Sequence, residues 1–396
     1  MTKILLTCED YFPQIGGAEV CVHNLRKELS ARGHTVTLFT NTTQRTDDEE
    51  GVVRVAWRFS PVQLLRNVSL LWRLVGSHDL VHCQYSFRVA CIAGIIARLR
   101  RKPMLLTQQG KGIVPEAGTF WRNRLLVKVC QRGSMWAANH ITSTSDEITE
   151  LTAAFVPRSK ITLVSNGYDA RRFLPDPAIP VPAEFAAEPR GVAKILSVRR
   201  LVPKNGIHIF IQALAMVRDV HADFHYFVIG EGRTEPFIRQ LVSELKMDRH
   251  VTLLGKREND AIAPYYQHAD LVVIPSSAEA RSIACIEAMG MAKPIIASRV
   301  GGLIDLLGSD SRYGELVRIY DSEACTYAPP LRLSAGRLRP LADTVISFLK
   351  NPQPLGAKAQ LAAALVRREY SWEAIAECYE GLYGRLLGSP VSHGDR

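Results

Sequence analysis

Short apolar runs rich in β-branched residues alternate with longer amphipathic segments along the whole chain, which predicts α/β layering around parallel sheets. In the first half, Ile4–Thr7, Thr35–Thr40, Leu80–His82, Met104–Thr107, His140–Thr144 and Ile161–Val164 read as strands, and Ala18–Ser30 as a helix that Gly33 stops. Prolines 175, 177, 180, 182 and 189 then break the pattern, and this stretch reads as a linker with little to pack. A second cycle follows, with strands at Ala193–Val198, Phe224–Ile229, Val251–Leu254, Leu271–Ile274 and Pro294–Ala297. Helical patterns over Pro340–Lys350, Leu355–Arg368 and Trp372–Leu387 close the chain. The expected architecture is two doubly wound domains with a cleft between them. Residues 1–170 form the first, 171–192 the linker, 193–369 the second, and 370–388 a last helix.

Composition agrees with two domains, because 396 residues at 47% hydrophobic content can bury two ordinary cores. No uncharged run approaches the ~20 residues needed to cross a bilayer. The opening MTKILLTCEDYFP has too short an apolar run for a secretory signal. The eight cysteines show no metal-ligand spacing and read as scattered core residues of a reduced compartment. A soluble, cytoplasmic protein is therefore expected.

The net charge of +10 changes that picture in one place. Between Arg98 and Arg132 stand nine Lys or Arg and a single acid, Glu116. The segment Thr119–Trp136 is helical in pattern, with Trp121, Leu125 and Val129 on one side and Arg124 and Lys128 on another. Residues 98–132 would suit an anionic membrane surface; a core-packed helix with a wet basic face fits the same pattern. No helix-turn-helix, zinc or aromatic RNA-reading pattern accompanies the charge, so nucleic acid is not expected.

Candidate chemistry falls where ligands bind in such sheets, beyond the carboxyl ends of strands. In PSSAEARSIACIEAMGMAKPIIAS, Glu279 sits in a small-residue loop and Glu287 about two turns into a helix that should start near Arg281. The amides of Ile283 and Ala284 at that helix start favour an anion. Two carboxylates beside an anion site can accept hydrogen bonds from hydroxyl-rich groups, and a phosphate between two polyols describes a nucleotide sugar. Gly16 and Gly17 open the first helix and would let backbone approach a bulky anion. Arg200 and Lys204 bracket the turn before Gly206 and would suit a diphosphate. Gly230, in Ile229–Gly232, would admit a flat base or ribose. His82 and Gln109 end two strands of the first half, where a lone histidine is more often structural than catalytic. No D-x-D beside a strand end and no histidine cluster appears, so no metal site is expected.

In this order and spacing, the motifs resemble those of the retaining glycosyltransferases of family 4, which have the GT-B fold of two Rossmann-like, doubly wound domains facing across a cleft. The likeness spans nearly the whole chain: Gly16-Gly17-Ala18-Glu19, Ser165-Asn166-Gly167-Tyr168-Asp169, Arg200-Leu201 with Lys204-Asn205-Gly206, the E-x(7)-E pair Glu279 and Glu287, Gly301-Gly302, and Tyr370-Ser371-Trp372. The resemblance implies a last helix that crosses back to the first domain. It implies that Arg200 and a nearby lysine hold the donor diphosphate together with the Ile283 and Ala284 amides. Glu287 would bind the ribose, Glu279 would face the transferred sugar, and Gly16 and Gly17 would approach the phosphate. Asn205, Gln109, Gly230 and Arg281 would complete the donor pocket. The chain departs from the family in having Asn205 where lysine is usual, Ala280-Arg281 after the first glutamate, and Gln109 where histidine is frequent. An amide cannot shuttle protons at neutral pH, so a base at that position would not be essential.

The implied function is metal-independent, retaining transfer of a sugar from a UDP- or GDP-sugar, with no cofactor, to a hydroxyl of a glycan or lipid-linked acceptor in cell-surface polysaccharide or glycolipid synthesis. A nucleotide-sugar epimerase of the same fold, or a non-catalytic nucleotide-sugar-binding protein, are the alternatives. Oligomeric state is not legible in the sequence.

Overall fold

The computed structural model describes residues 1–13, 17–44, 50–57, 60–85, 88–109, 121–258, 261–320 and 331–388, with backbone alone at 17 and 121–125. The chain divides into two units, one formed by Met1–Gly167 with Trp372–Arg396 and the other by Tyr168–Ser371.

The first unit contains β1 (Lys3–Cys8), α1 (Gly17–Ala31), β2 (Thr35–Thr40), β3 (Val52–Arg54), α2 (Pro61–Ser77), β4 (Leu80–Gln84), α3 (Arg88–Leu99), β5 (Met104–Gln108), α4 (Trp121–Ala137), β6 (His140–Ser143), α5 (Asp146–Ala153) and β7 (Ile161–Leu163). Its sheet runs in the order β3-β2-β1-β4-β5-β6-β7, every pairing parallel. β4 and β5 are buried at every position, because helices cover both faces of a parallel sheet. Leu5, Val81 and Leu106 of the sheet pack with Leu71 and Val75 of α2 and Ala93 and Ile96 of α3.

The second unit contains α6 (Ala183–Ala186), β8 (Ala193–Val198), α7 (Ile207–Arg218), β9 (Phe224–Ile229), α8 (Glu235–Glu244), β10 (Val251–Gly255), α9 (Ala263–His268), β11 (Leu271–Ile274), α10 (Ile283–Gly290), β12 (Ile295–Ser298), α11 (Gly301–Leu307), β13 (Glu315–Val317), α12 (Ala335–Lys350) and α13 (Gln353–Glu369). Its sheet order, β10-β9-β8-β11-β12-β13, is again wholly parallel. In both sheets the order reverses at one point, between β1 and β4 and between β8 and β11. Such a reversal leaves a crevice at the carboxyl ends of those strands, where ligands bind in open α/β sheets.

The last helix, α14 (Trp372–Leu387), belongs to the first unit. Glu380 on it pairs with Arg32 at 2.6 Å and with His34 at 2.7 Å. Gly167 meets the Trp372 ring so closely that a Cβ there would lie 2.7 Å from ring carbons.

Several expectations need correction. The proline-rich stretch is part of the second unit, and it does pack: α6 buries Phe185 against Phe227 and Tyr265, and Glu184 bonds to Arg257 and the Tyr265 hydroxyl. Strands β3 and β13 were not expected; each has three residues, too few to show a period. In α4, Val129 was expected on the apolar side with Trp121 and Leu125; Val129 is exposed beside Leu126 and Trp136, and Cys130 and Met135 are buried instead. The side chains of Trp121, Arg124 and Leu125 lie outside the described residues. Cysteines 8, 21, 83, 130 and 285 are buried as core residues, but Cys378 is exposed and Cys91 only partly covered. Cys325 lies outside the described residues.

Candidate active site

In the second unit, the reversal point brings together the loop after β8 and the loop after β11. The Ser277 amide donates to the Lys204 carbonyl at 2.7 Å, and the Tyr320 hydroxyl donates to the Pro275 carbonyl at 2.8 Å. Gly206, at φ +69°, makes the turn that permits this; a Cβ there would be driven into the Pro275 carbonyl. On the far side the Gly302 amide donates to the Glu279 carbonyl at 2.8 Å. The loop carrying Glu279 is thus clamped by backbone on both sides, and residues 276–278 are fully buried.

Glu279 forms an ion pair with Arg199, the residue before the expected arginine. Both side chains are nearly closed to solvent, 8% exposed for Arg199 and 10% for Glu279. Arg199 Nη1 donates to Ser282 Oγ at 2.8 Å, while Nη2 donates to Ser276 Oγ at 2.9 Å and to Asn205 Oδ1 at 3.3 Å. Burial lowers the guanidinium pKa to about 10, which still leaves it charged at neutral pH. Ser282 also caps α10, its Oγ accepting from the Cys285 amide at 3.3 Å. One guanidinium therefore ties the Glu279 carboxylate, the helix cap and the β8 loop into a single piece.

The amides of Ile283 and Ala284 begin α10 and have no acceptor within the helix. Glu287 lies one turn further on and keeps part of its surface open. Its carboxyl is nevertheless deep enough that burial raises its pKa to about 8, although the buried Tyr266 hydroxyl donates to it at 3.3 Å. At neutral pH in the free protein this group is mostly a neutral acid.

In the first unit, Gln109 follows β5 and donates from Nε2 to Gln84 Oε1 at 2.7 Å. Gln84 Nε2 in turn reaches His82 Nε2 at 3.1 Å. The histidine's other nitrogen lies 2.7 Å from the Tyr383 hydroxyl of α14, and its Nε2 lies 2.7 Å from Thr107 Oγ1. Thr107 continues to Thr142 at 2.7 Å and to Tyr379 at 3.2 Å. If Nε2 accepts from Gln84, Nδ1 carries the proton and donates to Tyr383. Burial lowers the His82 pKa to about 3, so this ring stays neutral and holds the sheet to α14. Gly17 is the first residue of α1, and Gly16 lies outside the described residues.

Comparison with known proteins places this geometry. Residues 16–167 match the model of the glycosyl transferase 4-like domain, and residues 183–327 match that of the glycosyl transferases group 1. A glycogen synthase of Mycobacterium tuberculosis is 28% identical over 422 aligned positions, covering 96% of this chain and 94% of that protein. The α-monoglucosyldiacylglycerol synthase of Acholeplasma laidlawii is 21% identical, covering 97% of each. Among solved structures, Anabaena HepE in complex with UDP and glucose superposes with a TM-score of 0.77 at 18% identity, over 97% of this chain and 100% of that one. The chain belongs to the group 1 glycosyl transferases. Its fold is GT-B.

For this glycosyltransferase the structure redistributes the expected roles. Arg200 is exposed and has no carboxylate partner among the described residues, so it can meet an anion. Lys204 is half-buried in the same turn. Asn205 is engaged at both ends: Oδ1 accepts from Arg199 and Nδ2 donates to the Arg200 carbonyl at 2.7 Å. It shapes the turn, and Arg199 supplies the buried cation at this corner. At Gly230 the space a Cβ would take is filled by the Arg199 carbonyl, so only glycine fits there. Its φ of +144° lets the loops after β8 and β9 lie in contact. Arg281, expected as a donor-side cation, is turned to Asp305 at 3.7 Å and to the Tyr370 hydroxyl at 2.9 Å, with its guanidinium over that ring. Arg199, Ser276, Ser282 and Tyr266 were missed. No local signal marks Arg199 over Arg200, because β8 is covered on both faces and Leu196 is as fully buried as Ile195 and Ser197.

Proposed function

We propose that this glycosyltransferase moves a sugar from a UDP- or GDP-linked donor to a hydroxyl of a glycan or lipid-linked acceptor, with retention of configuration and without a metal, at the cytoplasmic face of the membrane. The observation that carries this reading is the Arg199–Glu279 pair at the start of α10, with Glu287 one turn beyond Ile283 and Ala284. A bare carboxylate at Glu279 would repel an arriving diphosphate; paired with Arg199, it is electrically neutral and still offers oxygens to sugar hydroxyls. Arg200, Lys204 and the helix amides would hold the diphosphate and stabilise the charge that grows on it as the sugar becomes oxocarbenium-like. Glu287 would take the ribose hydroxyls. With an amide at Gln109 and a buried His82 whose pKa of about 3 makes it too weak a base, the leaving phosphate itself would accept the acceptor's proton. UDP and glucose bound to the Anabaena neighbour support a UDP-sugar. The Acholeplasma relative, named for a glucosyldiacylglycerol, supports a lipid-linked acceptor.

A panel of nucleotide sugars should raise the melting temperature for one base and sugar, since ligand bound to the folded state stabilises by mass action. The same donor, radiolabelled, should pass its sugar to glycan or lipid acceptors, with the anomeric configuration read by NMR. Inverted product would refute retention, and a changed free nucleotide sugar with no acceptor would indicate epimerisation.

A further inference from the structure

Three consecutive helix-to-strand connections of the first unit line an open cavity of about 550 Å³. α3 ends before β5, α4 ends before β6, and residues 154–160 lead into β7, three strands that are neighbours in the sheet. The cavity therefore sits at the amino-terminal edge of the sheet. Gln109 follows the opposite end of β5, roughly 16 Å away at about 3.3 Å per residue. This is not the end of the sheet where donor or acceptor is expected.

The lining contains three cations, Arg98, Arg132 and Lys160, two aromatic rings, Trp136 and Phe155, and no acid. None of the three cations has a carboxylate partner among the described residues. Arg98 Nη2 donates to the Trp136 carbonyl at 2.7 Å, and its guanidinium lies 4.0 Å over that ring. Lys160 Nζ donates to the Met135 carbonyl at 3.3 Å, and Arg132 lies 5.9 Å from the Phe155 ring centre. The last carbonyls of α4 thus orient two of the cations without neutralising them. Burial, and secondarily Arg98, hold the Lys160 ammonium below its ordinary range, as a cation crowded by another would be. Beside the cavity, Trp136 is 60% exposed and Phe155 52%, and Leu99 and Val129 are also open to solvent.

We propose that this cavity docks the phosphate headgroup of an anionic membrane lipid, Arg98, Arg132 and Lys160 gripping the phosphate while Trp136 and Phe155 enter the boundary between headgroups and acyl chains. Charge complementarity selects the phosphate. The exposed aromatic rings select a membrane over a soluble ester, because amphipathic rings partition to that boundary. The site deepens the membrane part of the proposed function but needs no sugar transfer, so its test stands apart from catalysis.

The test is sedimentation of the whole protein with phosphatidylcholine vesicles, with or without phosphatidylglycerol, at about 0.1 M salt, where screening is moderate. The parent should bind the anionic vesicles and not the neutral ones. Each cation near such a surface contributes a factor of roughly five in partitioning, so Arg132→Glu with Lys160→Glu should weaken binding by roughly 25-fold or more. Lys128→Glu, on α4 but outside the cavity, should lose far less. Trp136→Phe should remove most of the tryptophan quenching by brominated lipid. An unchanged melting temperature, and for any variant that melts early a repeat with Arg132→Gln, keeps docking separate from folding. Failure of the parent to bind anionic vesicles would overturn the proposal, as would equal losses for Lys128→Glu and the cavity variant. Millimolar glycerol phosphate that protects the cavity, in a protein that ignores vesicles, would assign the site to a soluble phosphate ester instead.

Discussion

Replacing Arg199 by methionine keeps the aliphatic length of the side chain and removes its charge and donors. Glu279 would then be a nearly buried carboxylate with its cation gone, and Ser276, Ser282 and Asn205 would each lose a donor. Removing one partner of a buried ion pair typically costs about 3–5 kcal/mol. Protonation sets a ceiling on the charge part: bringing an ordinary glutamate to its neutral form at pH 7 costs about 1.36 kcal/mol per unit above its pKa of ~4.3, so roughly 3.7 kcal/mol. At pH 5 the same ceiling is about 1 kcal/mol. The destabilisation should therefore shrink by as much as ~2.7 kcal/mol between pH 7 and pH 5, which a merely steric defect would not do. At about 2–4 °C per kcal/mol for a unit of this size, melting should fall by roughly 6–20 °C at pH 7.

The assay can separate the two units. All five tryptophans, at 57, 72, 121, 136 and 372, lie in the first unit, so their emission follows that unit alone. Far-UV circular dichroism follows both, and the second unit's urea transition is the part without a counterpart in emission. The companion variant carrying Arg199→Met and Glu279→Gln removes the stranded charge. It should recover most of the lost stability and lose the pH dependence. A single variant within 1 kcal/mol of the parent at pH 7, or with the same defect at both pH values, would refute the charge argument.

Two other titrations test neighbouring claims. Glu287 has a pKa raised to about 8 in the free protein, so the stability of its neutral form is present below the unfolded value and lost as pH rises through 8. A donor whose hydroxyls need the carboxylate should bind up to tenfold more tightly per pH unit between 6.5 and 8; Glu287→Gln should flatten that profile and weaken binding by ~1–3 kcal/mol. Calorimetric titrations showing a flat parent profile would remove Glu287 from the ribose. His82 has a pKa lowered to about 3, so its contribution is present above the unfolded value of 6.5 and is lost as pH falls from there toward 3. The loss should reach about 2 kcal/mol by pH 5, seen in tryptophan emission, and an equally steep dependence in His82→Gln would sink the assignment.

What the sequence showed and what it hid divide along a physical line. The central strands could be read because both faces of each are covered, so runs such as Leu271–Ile274 must be apolar whatever the rest of the chain does. Their order then places the reversal points, which is why the loops around Glu279 and Arg200 could be chosen before any coordinates. Within those loops the pattern stops informing. Two adjacent arginines differ only in which side of the backbone each leaves, and both faces of β8 are covered, so the pattern does not choose between them. The positive φ of Gly206 and the Gly230 backbone pressed on Arg199 then fix the loop around it. Likewise nothing local says that Arg281 will find Asp305 and Tyr370 rather than a ligand, because those partners are 24 and 89 residues away. Glycines hide their reason in the same way: that Gly230 is pressed on the Arg199 carbonyl shows only once the loops after β8 and β9 are seen together. The departure at Asn205 becomes intelligible only when its Oδ1 is seen accepting from Arg199. The chain lacks the expected lysine at that position, yet it keeps a buried cation at that corner of the site, six residues earlier.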